Sequence, residues 1–130
     1  MAKTPLIPHS LLGAPGQLRI SPGVLSGQHV FLTGMTGSAA DGSMPSDPEQ
    51  QFRNAFAKIA EVLKEADLGL DAVVEMTTYH VEMRDHFDVF DRVRLEVLTA
   101  PYPAWTAVEV AGLRREGALV EIRAIAHLSD

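Results

Sequence analysis

Hydrophobic positions change their period along the chain, and the changes mark out its elements. Phe52, Phe56, Ile59 and Leu63 recur every three or four residues, the spacing of one helix face. Just before them, Asp47-Pro48-Glu49-Gln50 supplies a helix start. Asp47 suits the cap, Pro48 the first helical position, and Gln50 the far corner of a capping box. This helix is predicted to stop near Ala66, ahead of Gly69. Phe87, Phe90, Val93 and Val97 repeat the spacing and predict a second helix over Asp85 to Thr99, ended by Pro101 and Pro103. Between the two, Val73 to Val81 is rich in β-branched and aromatic residues and reads as a strand. Further strands are predicted over Leu18 to Val24, broken by Pro22 and Gly23, and over His29 to Thr33. Ala104 to Ala111 and Ala118 to His127 make the last two, joined by a loop containing Gly112 and Gly117 that suits a hairpin.

Residues 1–17 hold Pro5, Pro8, Gly13, Pro15 and Gly16 and read as an irregular N-terminal arm; residues 18–130 make the domain proper. Gly37 to Asp47 is a loop by composition. The predicted order, β-β-α-β-α-β-β, indicates an α+β fold: one layer of sheet with two helices on one face. Two helices cannot cover both faces of that sheet. The last strand is apolar on one side (Val120, Ile122, Ala124, Ala126) and partly so on the other (Leu119, Ile125), so the second face is expected to meet protein through self-association.

Composition narrows the chemistry. At 130 residues the chain holds one core, and 46% hydrophobic with 22% charged residues is globular in balance. A net charge of −6 gives no general attraction to phosphate backbones, so no nucleic-acid partner is expected. Arg114-Arg115, the one adjacent basic pair, reads as a solvated hairpin tip. With no cysteine, disulfides, thiolate catalysis and Cys-ligated metal are excluded. The five histidines, His9, His29, His80, His86 and His127, show no H-x-H or H-E-x-x-H spacing, so no metal is expected. The start of the chain lacks the apolar run of a signal peptide, and no stretch approaches a membrane span, so a cytoplasmic protein is expected.

The segment Pro101-Tyr102-Pro103-Ala104-Trp105-Thr106-Ala107-Val108-Glu109-Val110-Ala111-Gly112-Leu113, followed by Val120-Glu121-Ile122-Arg123-Ala124-Ile125-Ala126, resembles the signature of the RidA/YjgF family, also called the endoribonuclease L-PSP family. Ile20-Ser21-Pro22-Gly23-Val24, Val30-Phe31-Leu32-Thr33-Gly34 and Asp71 to Thr78 are similar to other segments of that pattern. The resemblance implies a homotrimer around a central barrel with clefts between subunits. It implies a small-metabolite ligand, with no metal or organic cofactor, and hydrolysis of 2-imino acids or their enamines to 2-keto acids and ammonia. It makes Glu121 the catalytic carboxylate that activates water, and it places Ile20, Thr33, Gly34, Asp91, Trp105 and Ala107 around the substrate.

Three of these positions depart from the deaminase pattern. Trp105 stands where the family's arginine holds the substrate carboxylate, and an indole offers one N–H and an apolar face in place of a charged fork. It either stacks on a planar ligand, or plugs the cleft or packs on a neighbouring subunit. Ile20 replaces a tyrosine and Asp91 an asparagine. Asp91 alternatively faces solvent. Arg19 and Arg123 are the residues considered as a displaced anchor, against a local ion pair for Arg123. The sequence therefore points to an enamine or imine hydrolase with altered substrate preference. A non-catalytic ligand-binding trimer is the alternative, and an endoribonuclease is disfavoured by the acidic charge.

Overall fold

The computed structural model of the chain describes residues 3–11 and 13–129. Its strands are β1 (Thr4–Leu6), β2 (Gly23–Ser26), β3 (His29–Leu32), β4 (Met35–Thr36), β5 (Val73–His80), β6 (Ala104–Glu109) and β7 (Val120–His127). Two helices, α1 (Pro48–Lys64) and α2 (Met83–Val97), are long enough to pack. All seven strands form one sheet in the order β1-β2-β3-β7-β5-β6, with β4 also on β7. The α+β class with two helices on one face is what the periodicities predict.

Four readings of the sequence need correction. The arm expected to be irregular contributes β1, which pairs with β2 through Thr4 to Leu25 and Leu6 to Gly23. The strand placed at Leu18 to Val24 begins only at Gly23, because Ala14–Leu18 forms a helical turn and the chain still bends at Pro22. Asp47 does cap α1 and Pro48 does open it, but no side-chain cap bond forms, and Gln50 instead donates to Asn54 Oδ1 at 2.8 Å. The expected hairpin is absent: β6 and β7 are not neighbours, and β5 lies between them, parallel to β6 and antiparallel to β7. A parallel pair needs a crossover, and α2 supplies it between β5 and β6. The glycine-bearing connection then passes the end of β5, where Val110 N–H donates to His80 O and Val81 N–H to Leu119 O.

The core lies between the helices and one sheet face. Phe52, Phe56, Ile59 and Leu63 of α1 are all buried as their spacing predicts, and Phe90 and Val93 of α2 meet them. Val120, Ile122, Ala124 and Ala126 of β7 close the layer from below. Gln51, also buried, donates to Pro45 O at 2.7 Å and Gly117 O at 3.0 Å and accepts from Leu119 N–H at 2.8 Å, tying the loop before α1 to the start of β7. The opposite sheet face presents Phe31, Tyr79, Val108 and Ile125, with Phe31 41% and Val108 37% exposed.

One irregularity shapes a cavity on the open side of the sheet. Phe31 pairs with Ile125 while Met35 pairs with Ile122, so four steps along β3–β4 match three along β7. One extra residue is accommodated at Thr33-Gly34, a bulge. The alternation shifts accordingly: Val30 and Leu32 face the core before it, and Met35 after it.

Candidate functional site

The bulge lies beside the side chain of Glu121. Glu121 lies on the face of β7 turned away from the helices, between Thr36 of β4 and Tyr79 of β5. Its side chain crosses directly over Gly34: a Cβ at position 34 would come within 2.8 Å of Glu121 Cδ. Gly34 therefore leaves room for the Glu121 carboxylate, which any side chain at this position would displace. Thr33 holds the entrance in shape, donating its hydroxyl to Ser21 O at 2.6 Å and its N–H to Pro22 O at 2.9 Å.

These residues line a cavity of about 150 Å³ that also touches Ile20, Leu18 and Met35. Thus Ile20, Thr33, Gly34 and Glu121, expected together, come together. Their unexpected neighbours are cationic: Lys58 from α1, and Arg114 and Arg115 from the β6–β7 connection. Of the pair read as a solvated hairpin tip, Arg114 is exposed while Arg115 turns back, its Nη2 donating to Gly42 O at 2.6 Å. Lys58 donates to Ser38 Oγ at 2.8 Å. Burial, aided by the Arg115 charge and opposed by Glu61, brings the Lys58 ammonium down to about 8. No local sequence signal marks this wall, because Lys58 belongs to the polar side of a helical repeat and the arginines arrive by the path of a loop.

Trp105, Asp91 and Ala107 lie elsewhere. In the β5–β6 register Trp105 is opposite Met76 and Ala107 opposite Thr78, both on the helix-facing side. Trp105 neither stands free nor awaits a neighbouring subunit for its packing; α2 of its own chain covers it. Its ring stacks on Phe87 with centroids 5.8 Å apart and planes 4° from parallel, and the Arg94 guanidinium carbon lies 4.3 Å from the ring centroid. Arg94 in turn donates to Asp91 Oδ1 from Nε and Nη2 at 2.9 and 2.6 Å. Asp91, expected either in the cleft or facing solvent, is half-buried and engaged by this pair.

The indole N–H is engaged as well, donating to Thr78 Oγ1 at 2.9 Å. Thr78 Oγ1 lies 2.7 Å from His80 Nε2, so its own hydroxyl proton has an acceptor there when the imidazole is neutral. Burial among aromatic rings pushes His80 down to about 4, which keeps it neutral. Arg19 and Arg123, the candidates for a substitute anchor, do not line the Glu121 cavity, and Arg123 is exposed on the open sheet face. Among those residues no group of three or more His, Asp and Glu side chains is placed to hold a metal ion.

The model of the family described as endoribonuclease L-PSP matches residues 14–128. The chain belongs to that family. It is 34% identical over 113 residues to the RutC family protein YjgH of Escherichia coli strain K12, covering 86% of this chain and 85% of the relative. A solved structure of protein YJGH superposes with a TM-score of 0.90 at 30% identity, covering 100% of this chain and 99% of that one. The chain is also 31% identical over 108 residues to 2-iminobutanoate/2-iminopropanoate deaminase of Bos taurus, covering 82% of this chain and 77% of the relative.

Proposed function

We propose that the chain is a small-metabolite hydrolase of the imine or enamine type with an altered substrate preference, working as a homotrimer whose subunits complete one another's clefts. The observation that carries this reading is the seat of the Glu121 carboxylate over Gly34, at the wall of a cavity large enough for a small molecule. Such a carboxylate takes a proton from water as the water oxygen bonds to the imine carbon and the C=N electron pair moves to nitrogen. The proton then passes to that nitrogen, and collapse of the carbinolamine releases ammonia and leaves a carbonyl. The stoichiometry requires water alone as co-reactant. The name of the bovine relative supports the reaction class.

Support for the trimer comes from two features. Phe31 and Val108, with Ile125 and Tyr79 beside them, are apolar side chains on a sheet face that no helix covers. The expected site residues also divide into two groups, with Trp105 and Ala107 on the edge strand β6 and the Glu121 cavity beyond β5. An edge strand that carries half a site is suited to a cleft made with a second copy. A non-catalytic binding role is the second reading, favoured by Trp105, whose N–H is bonded to Thr78 and whose ring is stacked on Phe87.

The test is ammonia and carbonyl release from imines generated in solution, with wild type and Glu121→Gln. Wild type is expected to accelerate hydrolysis, more slowly on 2-iminopropanoate than an arginine-bearing relative does. Glu121→Gln is expected to lose a factor on the order of 10² or more. Binding of the carbonyl product without acceleration of any imine would establish the second reading instead.

A further inference from the structure

The cavity at Glu121 is cationic in a chain of net charge −6. Lys58, Arg114 and Arg115 line it, and Glu121 is its one carboxylate. None of the three cations has a carboxylate within salt-bridge distance among the described residues, whereas Arg53, Arg92 and Arg94 all do. Their partners are neutral: Ser38 Oγ for Lys58 and Gly42 O for Arg115. Glu61, across the adjoining cavity that shares Lys58 and Arg115, receives the hydroxyl of Ser10. Three clustered cations facing a single carboxylate, Lys58 and Arg115 among them half-buried, repel one another unless a further anion joins them. The opposite wall, with Leu18, Ile20 and Met35, is apolar and suits the carbon body of a small organic ion.

We propose that Lys58, Arg114 and Arg115 hold the carboxylate of the molecule whose reacting carbon sits at Glu121, replacing from within one subunit the anchor that Trp105 does not provide. This rests on the reading of the Glu121 cavity as a small-molecule site. Arg94 is not available for the task, since Asp91 and the Trp105 ring occupy its guanidinium. Arg114 and Arg115 present planar forks matched to a carboxylate, and Lys58 adds a point charge.

Titrating 2-oxobutanoate into the full-length wild type, followed by amide NMR at Gly34 and Glu121, provides the test, with 2-oxobutanamide as the uncharged isostere and inorganic phosphate as a competing anion. The expected result is that 2-oxobutanoate binds at those amides and that its affinity falls about tenfold or more in Lys58→Met and in Arg114→Gln/Arg115→Gln. Binding of the amide should be unchanged in both, and Arg123→Gln should match wild type for both ligands. Because Arg115 also braces Gly42, Lys58→Met gives an independent arm should the double variant loosen the loop. Undiminished 2-oxobutanoate affinity in both variants, with the Gly34 and Glu121 signals still shifting, would overturn the cationic wall and leave the site standing. Phosphate displacing 2-oxobutanoate at lower concentration would overturn the carboxylate assignment. If neither carbonyl ligand perturbed those amides in wild type, the site reading and the wall would fall together.

Discussion

Gly34 and Gly37 lie three residues apart and answer to different constraints. A Cβ at Gly34 meets the far end of the flexible Glu121 side chain, which can swing aside, whereas a Cβ at Gly37 would collide with the backbone of Gln51 in α1. Gly34→Ala is therefore expected to leave the melting temperature nearly unchanged while displacing the carboxylate and abolishing Glu121-dependent turnover. Gly37→Ala should cost about 1–3 kcal/mol of stability by overpacking. Thermal melts and assays on the two variants check the contrast; equal destabilisation would show that Glu121 is locked in place. Trp105 invites a second test. Trp105→Arg removes a ring stacked on Phe87 and brings a second guanidinium beside Arg94, so alone it should destabilise by about 2 kcal/mol or more. Adding Arg94→Gln should recover part of that loss, and denaturant melts of the single and double variants measure how much. Activity on 2-imino acids is to be compared in the double variant, where a null result is not confounded by charge repulsion. The family pattern groups Glu121, Gly34, Thr33 and Ile20, and the four line one cavity. Nothing in it revealed Lys58, Arg114 and Arg115 as their neighbours, because the three converge only through tertiary structure.

At the level of elements, both helices were legible because a 3.6-residue stripe and its stop signals are local properties. The β6–β7 hairpin was misread for the converse reason: Gly112 and Gly117 announce a reversal of the chain but not which strand fills the space beside β7. β4 is two residues long and the bulge before it adds a single residue, both below what periodicity resolves. The β5–α2–β6 unit carries a pH dependence that the sequence did not show. His80 is buried against Phe87 and Phe90, and the one charged residue facing it across the register is Glu109, whose carboxylate accepts the Met83 N–H at 3.0 Å. Folded, His80 stays neutral down to about 4; unfolded, it takes a proton near its ordinary 6.5. Its contribution is therefore complete above 6.5 and is lost as pH falls towards 4, up to about 3 kcal/mol at the lower end. Denaturant unfolding between pH 7 and 4, read beside the His80 ring titration, should show both; a ring that titrates near 6.5 would contradict the neutral Trp105–Thr78–His80 chain.

At the scale of the whole molecule, the uncovered sheet face and the divided site call for the same remedy. The face carries two apolar pairs, Phe31 with Ile125 and Tyr79 with Val108, separated by Arg123, Thr77 and Thr106, and exposing them costs solubility unless a second surface covers them. Threefold association would close it and bring the β6 edge of one subunit to the cavity of another. Light scattering at micromolar concentration should therefore give about three times the 14.1 kDa chain mass. Val108→Glu, a change at an exposed position of β6, should leave circular dichroism intact and lower that mass by placing an unpaired charge in the interface. Dissociation should also remove imine hydrolysis, although Glu121, Gly34 and the cationic wall all belong to one chain. Two other outcomes separate the claims: a folded wild-type monomer would remove the trimer and the shared cleft, while a dissociated Val108→Glu that still hydrolyses imines would show that the Glu121 cavity suffices without a neighbour.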